Sequence, residues 1–280
     1  MDFKQFSKLI MIEQTFFALP FALLGVLFAG GGTPMTWAWV IVALAAARTA
    51  GMSFNRVIDA DIDAKNPRTR DRLIPSGEVG PAAVWMTAGV SSLALIGASF
   101  MLNRLCFLLS FPAVFLLFTY AYFKRFSASS HFYLGFVEAA APIGGYIAVS
   151  GRFALVPFVL GFAIMTWIAG LDMVYALQDM DFDASEGLHS MPVRLGKHGA
   201  LLLSAVCYVL SFGAMIYAGL LTHRHTAYWI AIGMVGVIFS VQQKLARSKN
   251  AASATKLFFR VNMLISPLLF LGTLADTLSG

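Results

Sequence analysis

The sequence predicts an all-α, polytopic membrane bundle of nine transmembrane helices. Hydrophobic residues make up 59% of the 280 positions and charged residues 12%, against about 25% charged in an average soluble domain. Nine apolar stretches reach the roughly 17 to 25 residues that a membrane-spanning helix needs. Lysine and arginine alternate between the loops, rich on one side and sparse on the other, as the positive-inside rule requires.

In chain order, Lys4 and Lys8 precede an apolar run at residues 15–34, read as a retained first helix rather than a cleaved leader. It ends at Gly30-Gly31-Gly32, an outer turn without phosphate-loop spacing. The second span, 37–58, carries Arg48 and Asn55 and runs into Asp59, Asp61 and Asp63. Turn chemistry at Asn66-Pro67-Arg68-Thr69-Arg70 and Pro75-Ser76-Gly77 then bends the chain. The third and fourth spans, 80–102 and 105–123, are followed by Lys124-Arg125. The fifth, 131–151, holds Glu138 and the pair Gly144-Gly145, which either lines a cavity or lets helices pack closely. The sixth, 153–178, carries Asp172 and Tyr175 and runs into Asp179, Asp181 and Asp183, before a loop with Glu186-Gly187, Pro192 and Gly196. Spans at 199–222, 226–246 and 259–278 complete the bundle. Cys106 and Cys207 imply neither a structural disulfide nor a cysteine metal site, and His131, His189 and His198 lack metal-ligand spacing.

With the N-terminus inside, the inner loops collect fifteen cations, among them Lys65, Arg194, Lys197, Lys244, Lys249, Lys256 and Arg260, and the outer loops only Arg104, Arg152 and Arg224. Both acidic clusters therefore face the cytoplasm, and a bacterial inner membrane is the expected location. Topology and anionic headgroups account for the net charge of +6 without a nucleic-acid partner. No soluble domain or linker interrupts the chain, so 1–280 reads as one membrane domain. Asp59 and Asp63 recur as Asp179 and Asp183, 120 residues on, which points to two weakly related halves, about 1–125 and 126–280.

Carboxylates at the ends of apolar segments are functional candidates, because an unpaired charge there is costly. At about 100° per residue, Arg48, Asn55, Asp59 and Asp63 share a sector of about 80° if the helix persists through Asp63, and Asp61 points away. Asp172, Tyr175, Asp179 and Asp183 behave alike, with Asp181 opposite. Asp59, Asp63, Asp179 and Asp183, with Asn55 beside them, form the expected metal-facing set. Such oxygen-rich sites suit Mg²⁺, which takes one or two carboxylates per ion plus phosphate oxygens and water. Arg68, Arg70, Arg72, Arg194 and Lys197 are the expected partners of a diphosphate.

Asn55-x-x-x-Asp59-x-x-x-Asp63, followed by Asn66-Pro67-Arg68-Thr69 and Ile74-Pro75-Ser76-Gly77, resembles the first signature of the UbiA superfamily of intramembrane prenyltransferases. Tyr175-x-x-x-Asp179-x-x-x-Asp183, followed by Gly187-Leu188-His189-Ser190-Met191-Pro192, resembles the second. Both stand after the second and sixth spans, so the resemblance covers essentially the whole chain. It implies a helical bundle around a central cavity with a cytoplasmic cap, in which a Mg²⁺-bound isoprenyl diphosphate ionises and its allylic carbon alkylates an aromatic acid in quinone biosynthesis. The motifs most resemble the 4-hydroxybenzoate polyprenyltransferase group and its menaquinone-pathway relatives, which leaves a dihydroxynaphthoate-type acceptor as the alternative. In that group Arg125 is a candidate partner of the acceptor carboxylate. Asp172 and Tyr175 are candidates for activating the acceptor. Arg56 departs from the Asn-Asp found in many members and leaves the first motif one carboxylate short. The rival from another class is a cation-coupled transporter, which would place its carboxylates nearer the bilayer midplane.

Overall fold

The computed structural model describes residues 1–248, 257–258 and 260–279, with no side chains described at 13–16. Lys249, Lys256 and the expected start of the last span at Phe259 lie outside the described residues. Among the described residues every regular element is a helix: α1 (Phe3–Ile10), α2 (Ile12–Phe28), α3 (Pro34–Ile58), α4 (Ala60–Lys65), α5 (Pro81–Leu102), α6 (Arg104–Phe123), α7 (Ser130–Ser150), α8 (Leu155–Ala176), α9 (Met180–Ser185), α10 (Met191–Leu221), α11 (Thr226–Ala246) and α12 (Ile265–Ser279).

Local chemistry sets several of these boundaries. Thr33 caps α3 by accepting the Thr36 N–H, with Pro34 in the first turn, and Asn103 caps α6 by accepting the Cys106 N–H. Ser190 caps α10, which breaks at Gly196, where φ is 68° and ψ is 170°. The segment beyond that break corresponds to the seventh predicted span. Glycine supplies a backbone conformation that side chains resist.

Eight described helices are long and apolar enough to cross a membrane, the last counted over Arg260–Ser279, and a shorter apolar helix precedes them. Of the nine expected spans, the first is the one that falls short of that length. The first span is cut short by the turn at Gly30 and Gly31, where φ is 94° and 80°, leaving α2 with 17 residues. At a 1.5 Å rise per residue that is about 26 Å, just under a hydrocarbon core of about 30 Å. The acidic motifs also do not ride unbroken helices. α3 stops at Ile58 and α8 at Ala176, and each motif continues into a separate six-residue helix, α4 or α9.

The core is built around Trp167 of α8, fully buried and in edge contact with Phe17 and Phe21 of α2. Hydroxyl-to-carbonyl bonds tie helices together where lipid supplies no water. Ser204 Oγ donates to the Gly170 carbonyl at 2.8 Å, and Ser266 Oγ donates to that of Phe17 at 2.7 Å. The polar cap is left over one large cavity.

Candidate active site

A cavity of about 1520 Å³ is walled chiefly by α1, α2, α3, α6, α7 and α8. Its inner wall is apolar, and its mouth carries the acidic motifs. Asn55, Asp59 and Asp63 line it from one side and Asp172, Tyr175, Asp179 and Asp183 from the other. Asp61 and Asp181 are exposed and line nothing. The break at Asp59 preserves this sorting because the Asp63 N–H still bonds the Asp59 carbonyl at 2.8 Å, as the Asp183 N–H bonds that of Asp179 at 2.7 Å. The i to i+4 register therefore survives.

Three of the four aspartates hold a basic partner. Asp59 Oδ2 accepts from Asn55 Nδ2 at 3.0 Å and lies 2.7 Å from Lys124 Nζ. Its Oδ1 is buried without a hydrogen-bond donor, 3.6 Å from Arg125 Nη2. Arg72 Nη1 donates to both oxygens of Asp63 at 2.7 Å. Asp179 takes Arg68 Nε at 2.8 Å, the Arg68 Nη2 group and Asn66 Nδ2 at 3.0 Å, while Arg68 Nη1 reaches the Tyr175 hydroxyl at 2.7 Å. Lys65 pairs with Glu186 at 2.6 Å. The first acidic loop thus reaches over the cavity and grips the second motif.

Burial lifts the Asp59 carboxyl above its ordinary range, against the Lys124 charge and hydrogen bond. At Asp179 burial pushes the same way, but hydrogen bonds from Arg68 and Asn66 outweigh it and hold the carboxyl below the usual range. Asp183 is raised by burial and by the neighbouring Asp179 charge.

No three His, Cys, Asp or Glu side chains among the described residues gather closely enough to hold a metal alone. In place of four converged aspartates stand carboxylate–cation pairs, since like charges separate and three of the four take an opposite charge. The donor set still fits a hard divalent cation. It consists of oxygen ligands, it includes the orphaned buried oxygen of Asp59, and Mg²⁺ draws the rest of its shell from phosphate and water.

Arg68 and Arg72 reach the cavity, but Arg70, Arg194 and Lys197 are exposed and do not line it. Arg194 instead borders a small separate cleft beside Phe126 and Ser190. Arg125 does not line the cavity either. It lies outside the cavity wall, donating to the Ile58 carbonyl at 2.6 Å, because the last turn of α3 leaves that carbonyl without a helical partner. Its neighbour Lys124 faces the cavity.

Arg48 lines the cavity, 2.5 Å from Glu138 Oε1. His131 is buried rather than a loop residue. Its Nε2 accepts the Met191 N–H at 3.1 Å, which assigns the ring proton to Nδ1, donating to Asp172 Oδ2 at 2.7 Å. Sequence reasoning missed His131, Lys124 and Arg56 as cavity residues. Only the helical spacing of Asp172 from Asp179 offered a signal for the first.

The UbiA prenyltransferase family model matches residues 18–264. A 4-hydroxybenzoate octaprenyltransferase of Xanthomonas campestris pv. campestris (strain B100) is 28% identical over 259 residues, 91% of this chain and 83% of the relative. One of Nitrosomonas eutropha is 29% identical over 263 residues, covering 91% and 89%. Among solved structures, the apo UbiA homolog from Aeropyrum pernix K1 superposes with a TM-score of 0.88 at 29% identity over 95% of this chain and 98% of that one. A UbiA homolog from Archaeoglobus fulgidus bound to GPP and Mg²⁺ shares the fold, with a TM-score of 0.75 at 18% identity over 99% and 100% of the two chains.

Proposed function

The chain belongs to the UbiA prenyltransferase family, and from that membership and the geometry of the cavity we propose that it transfers a polyprenyl group from an isoprenyl diphosphate to a ring carbon of an aromatic acid. 4-Hydroxybenzoate is the first choice of acceptor, as the names of the relatives support, and a dihydroxynaphthoate-type acid is the second. The observation that carries the reading is the pair of aspartate motifs on opposite walls of one cavity, latched by Arg68 on Asp179.

Asp59 and Asp63, with Asn55, and Asp179 and Asp183 are the residues that would hold Mg²⁺. Bound there, the metal supplies Lewis-acid stabilisation of the departing diphosphate. The carboxylate–cation pairs give this chain's own residues a second role. With Asp63 and Asp179 engaged by a metal, Arg72 and Arg68 would be free to meet the diphosphate oxygens through bidentate contacts that strengthen as charge develops. The apolar inner wall takes the isoprenoid tail and keeps water from the allylic cation. Arg48, paired with Glu138, and Lys124, paired with Asp59, line the same wall and are candidates to meet the acceptor carboxylate. Asp172, held by the His131 Nδ1–H, keeps its second oxygen to accept the phenol proton as the ring attacks.

The test is an assay of the purified chain in lipid with Mg²⁺, geranyl diphosphate and each aromatic acid, with products identified by mass. A geranylated 4-hydroxybenzoate supports the first acceptor. Product only from dihydroxynaphthoate shifts the reading to the second, and consumption of neither acid overturns it.

A further inference from the structure

Five cavity-lining cations have carboxylate partners: Lys8 with Glu78, Arg48 with Glu138, Arg68 with Asp179, Arg72 with Asp63 and Lys124 with Asp59. Arg56 does not. It lines the same cavity at 9% exposure, and its described hydrogen bond is from Nη2 to the Met11 thioether sulfur at 3.0 Å. The charges of Asp63 and Arg72 reach it, but both Asp63 oxygens are taken by Arg72. A thioether is a weak acceptor, and a buried guanidinium without a counter-charge is costly. The position is also costly for Met11, a non-glycine residue at φ 50° and ψ 64° between α1 and α2.

We propose that Arg56 is an anion-binding residue of the cavity, whose guanidinium exchanges the Met11 thioether for an oxyanion of the substrate. The ligand is the donor's diphosphate or the acceptor's carboxylate, since a planar guanidinium meets either through paired hydrogen bonds. This rests on the prenyl-transfer reading and deepens it. With Arg70, Arg194 and Lys197 outside the cavity, Arg56 supplies positive charge that is not already committed to an acidic side chain. It stands one residue from Asn55, on the wall of the first acidic motif.

The competing explanation is structural: Arg56 pins Met11 and hence α1. Steady-state kinetics of the full chain in lipid nanodiscs separate the two, with Mg²⁺ saturating and geranyl diphosphate and 4-hydroxybenzoate varied in turn. Loss of a charge-assisted contact predicts that Arg56→Gln raises the KM of one substrate about tenfold or more, that Arg56→Lys recovers part of it, and that Met11→Leu leaves both KM values near wild type. A rise confined to geranyl diphosphate assigns the diphosphate, and one confined to 4-hydroxybenzoate assigns the carboxylate. If Arg56→Gln does not fold, Arg56→Lys carries the comparison, with a smaller rise for the same substrate. Unchanged KM values in the Arg56 variants, or a Met11→Leu variant that reproduces their defect, overturn the proposal. If the wild type prenylates no aromatic acid, the function reading fails by itself. Calorimetric titration with inorganic diphosphate and with 4-hydroxybenzoate then decides Arg56, whose removal must weaken one of them.

Discussion

Lys124 and Arg125 are adjacent, equally charged and attached to the same end of α6, yet their environments differ. Both approach Asp59, Lys124 Nζ at 2.7 Å and Arg125 Nη2 at 3.6 Å, but Lys124 lines the cavity, whereas Arg125 does not and gives its hydrogen bond to the Ile58 carbonyl. Arg125→Ala is therefore expected to cost about 1 kcal/mol of stability, its contact being partly screened by solvent, and to leave the acceptor KM unchanged. Lys124→Ala is expected to lower turnover. Melting curves beside acceptor kinetics check this, and a raised acceptor KM in Arg125→Ala at unchanged melting temperature would return that residue to the site. Sequence could not separate the two because a helix end fixes the direction of neither side chain. The same limit applies to Arg70, Arg194 and Lys197, whose orientation depends on the turns that carry them. Arg56 escaped for another reason: it reads only as a departure from the Asn-Asp pattern of the first motif, although at about 100° per residue it lies about 20° from Asp63 around the helix.

At the scale of elements, the two motifs share one backbone device. Asp59 and Asp179 both interrupt the chain in a near-bridge conformation, φ −89° and ψ 1° against φ −107° and ψ 6°, and each precedes a six-residue helix. The recurrence 120 residues apart was legible in the sequence, whereas the breaks were not, since nothing in Ile58-Asp59-Ala60 forbids a helix. Gly144 and Gly145 divide the two roles expected of them. A Cβ at Gly145 would stand 2.0 Å from the Ala22 carbonyl oxygen, whereas at Gly144 it would meet nothing within 4 Å. Gly145→Ala should force α2 from α7 and lower the melting temperature and yield, at a cost of about 1 to 3 kcal/mol for overpacking. Gly144→Ala should be tolerated. Equal stability of the two variants in nanodiscs would refute the close approach.

For the whole molecule, the short α2 decides the topology. If it crosses with the eight longer helices, an odd number of spans separates the termini, with the cap and its cations on the cytoplasmic side and Ser279 outside. Cysteines introduced at Ser7 and Ser279 test this, against a low background because Cys106 and Cys207 are buried. External labelling of Ser279→Cys alone is expected, and labelling of both or of Ser7→Cys alone contradicts nine crossings. Composition and loop charge made the bundle legible, and i to i+4 spacing made the aspartate faces legible. The pairing of Arg68 with Asp179 was not, because the partners are 111 residues apart and meet only in the folded chain. The central claim is that both motifs hold one metal–diphosphate group between them, which calorimetry of geranyl diphosphate binding tests most directly. Wild type should bind with Mg²⁺ and not with a chelator. Asp59→Asn, Asp63→Asn, Asp179→Asn and Asp183→Asn should each weaken binding about tenfold or more, while Asp61→Asn and Asp181→Asn match wild type. Undiminished Mg²⁺-dependent binding after substitution at either Asp63 or Asp179 would contradict the account.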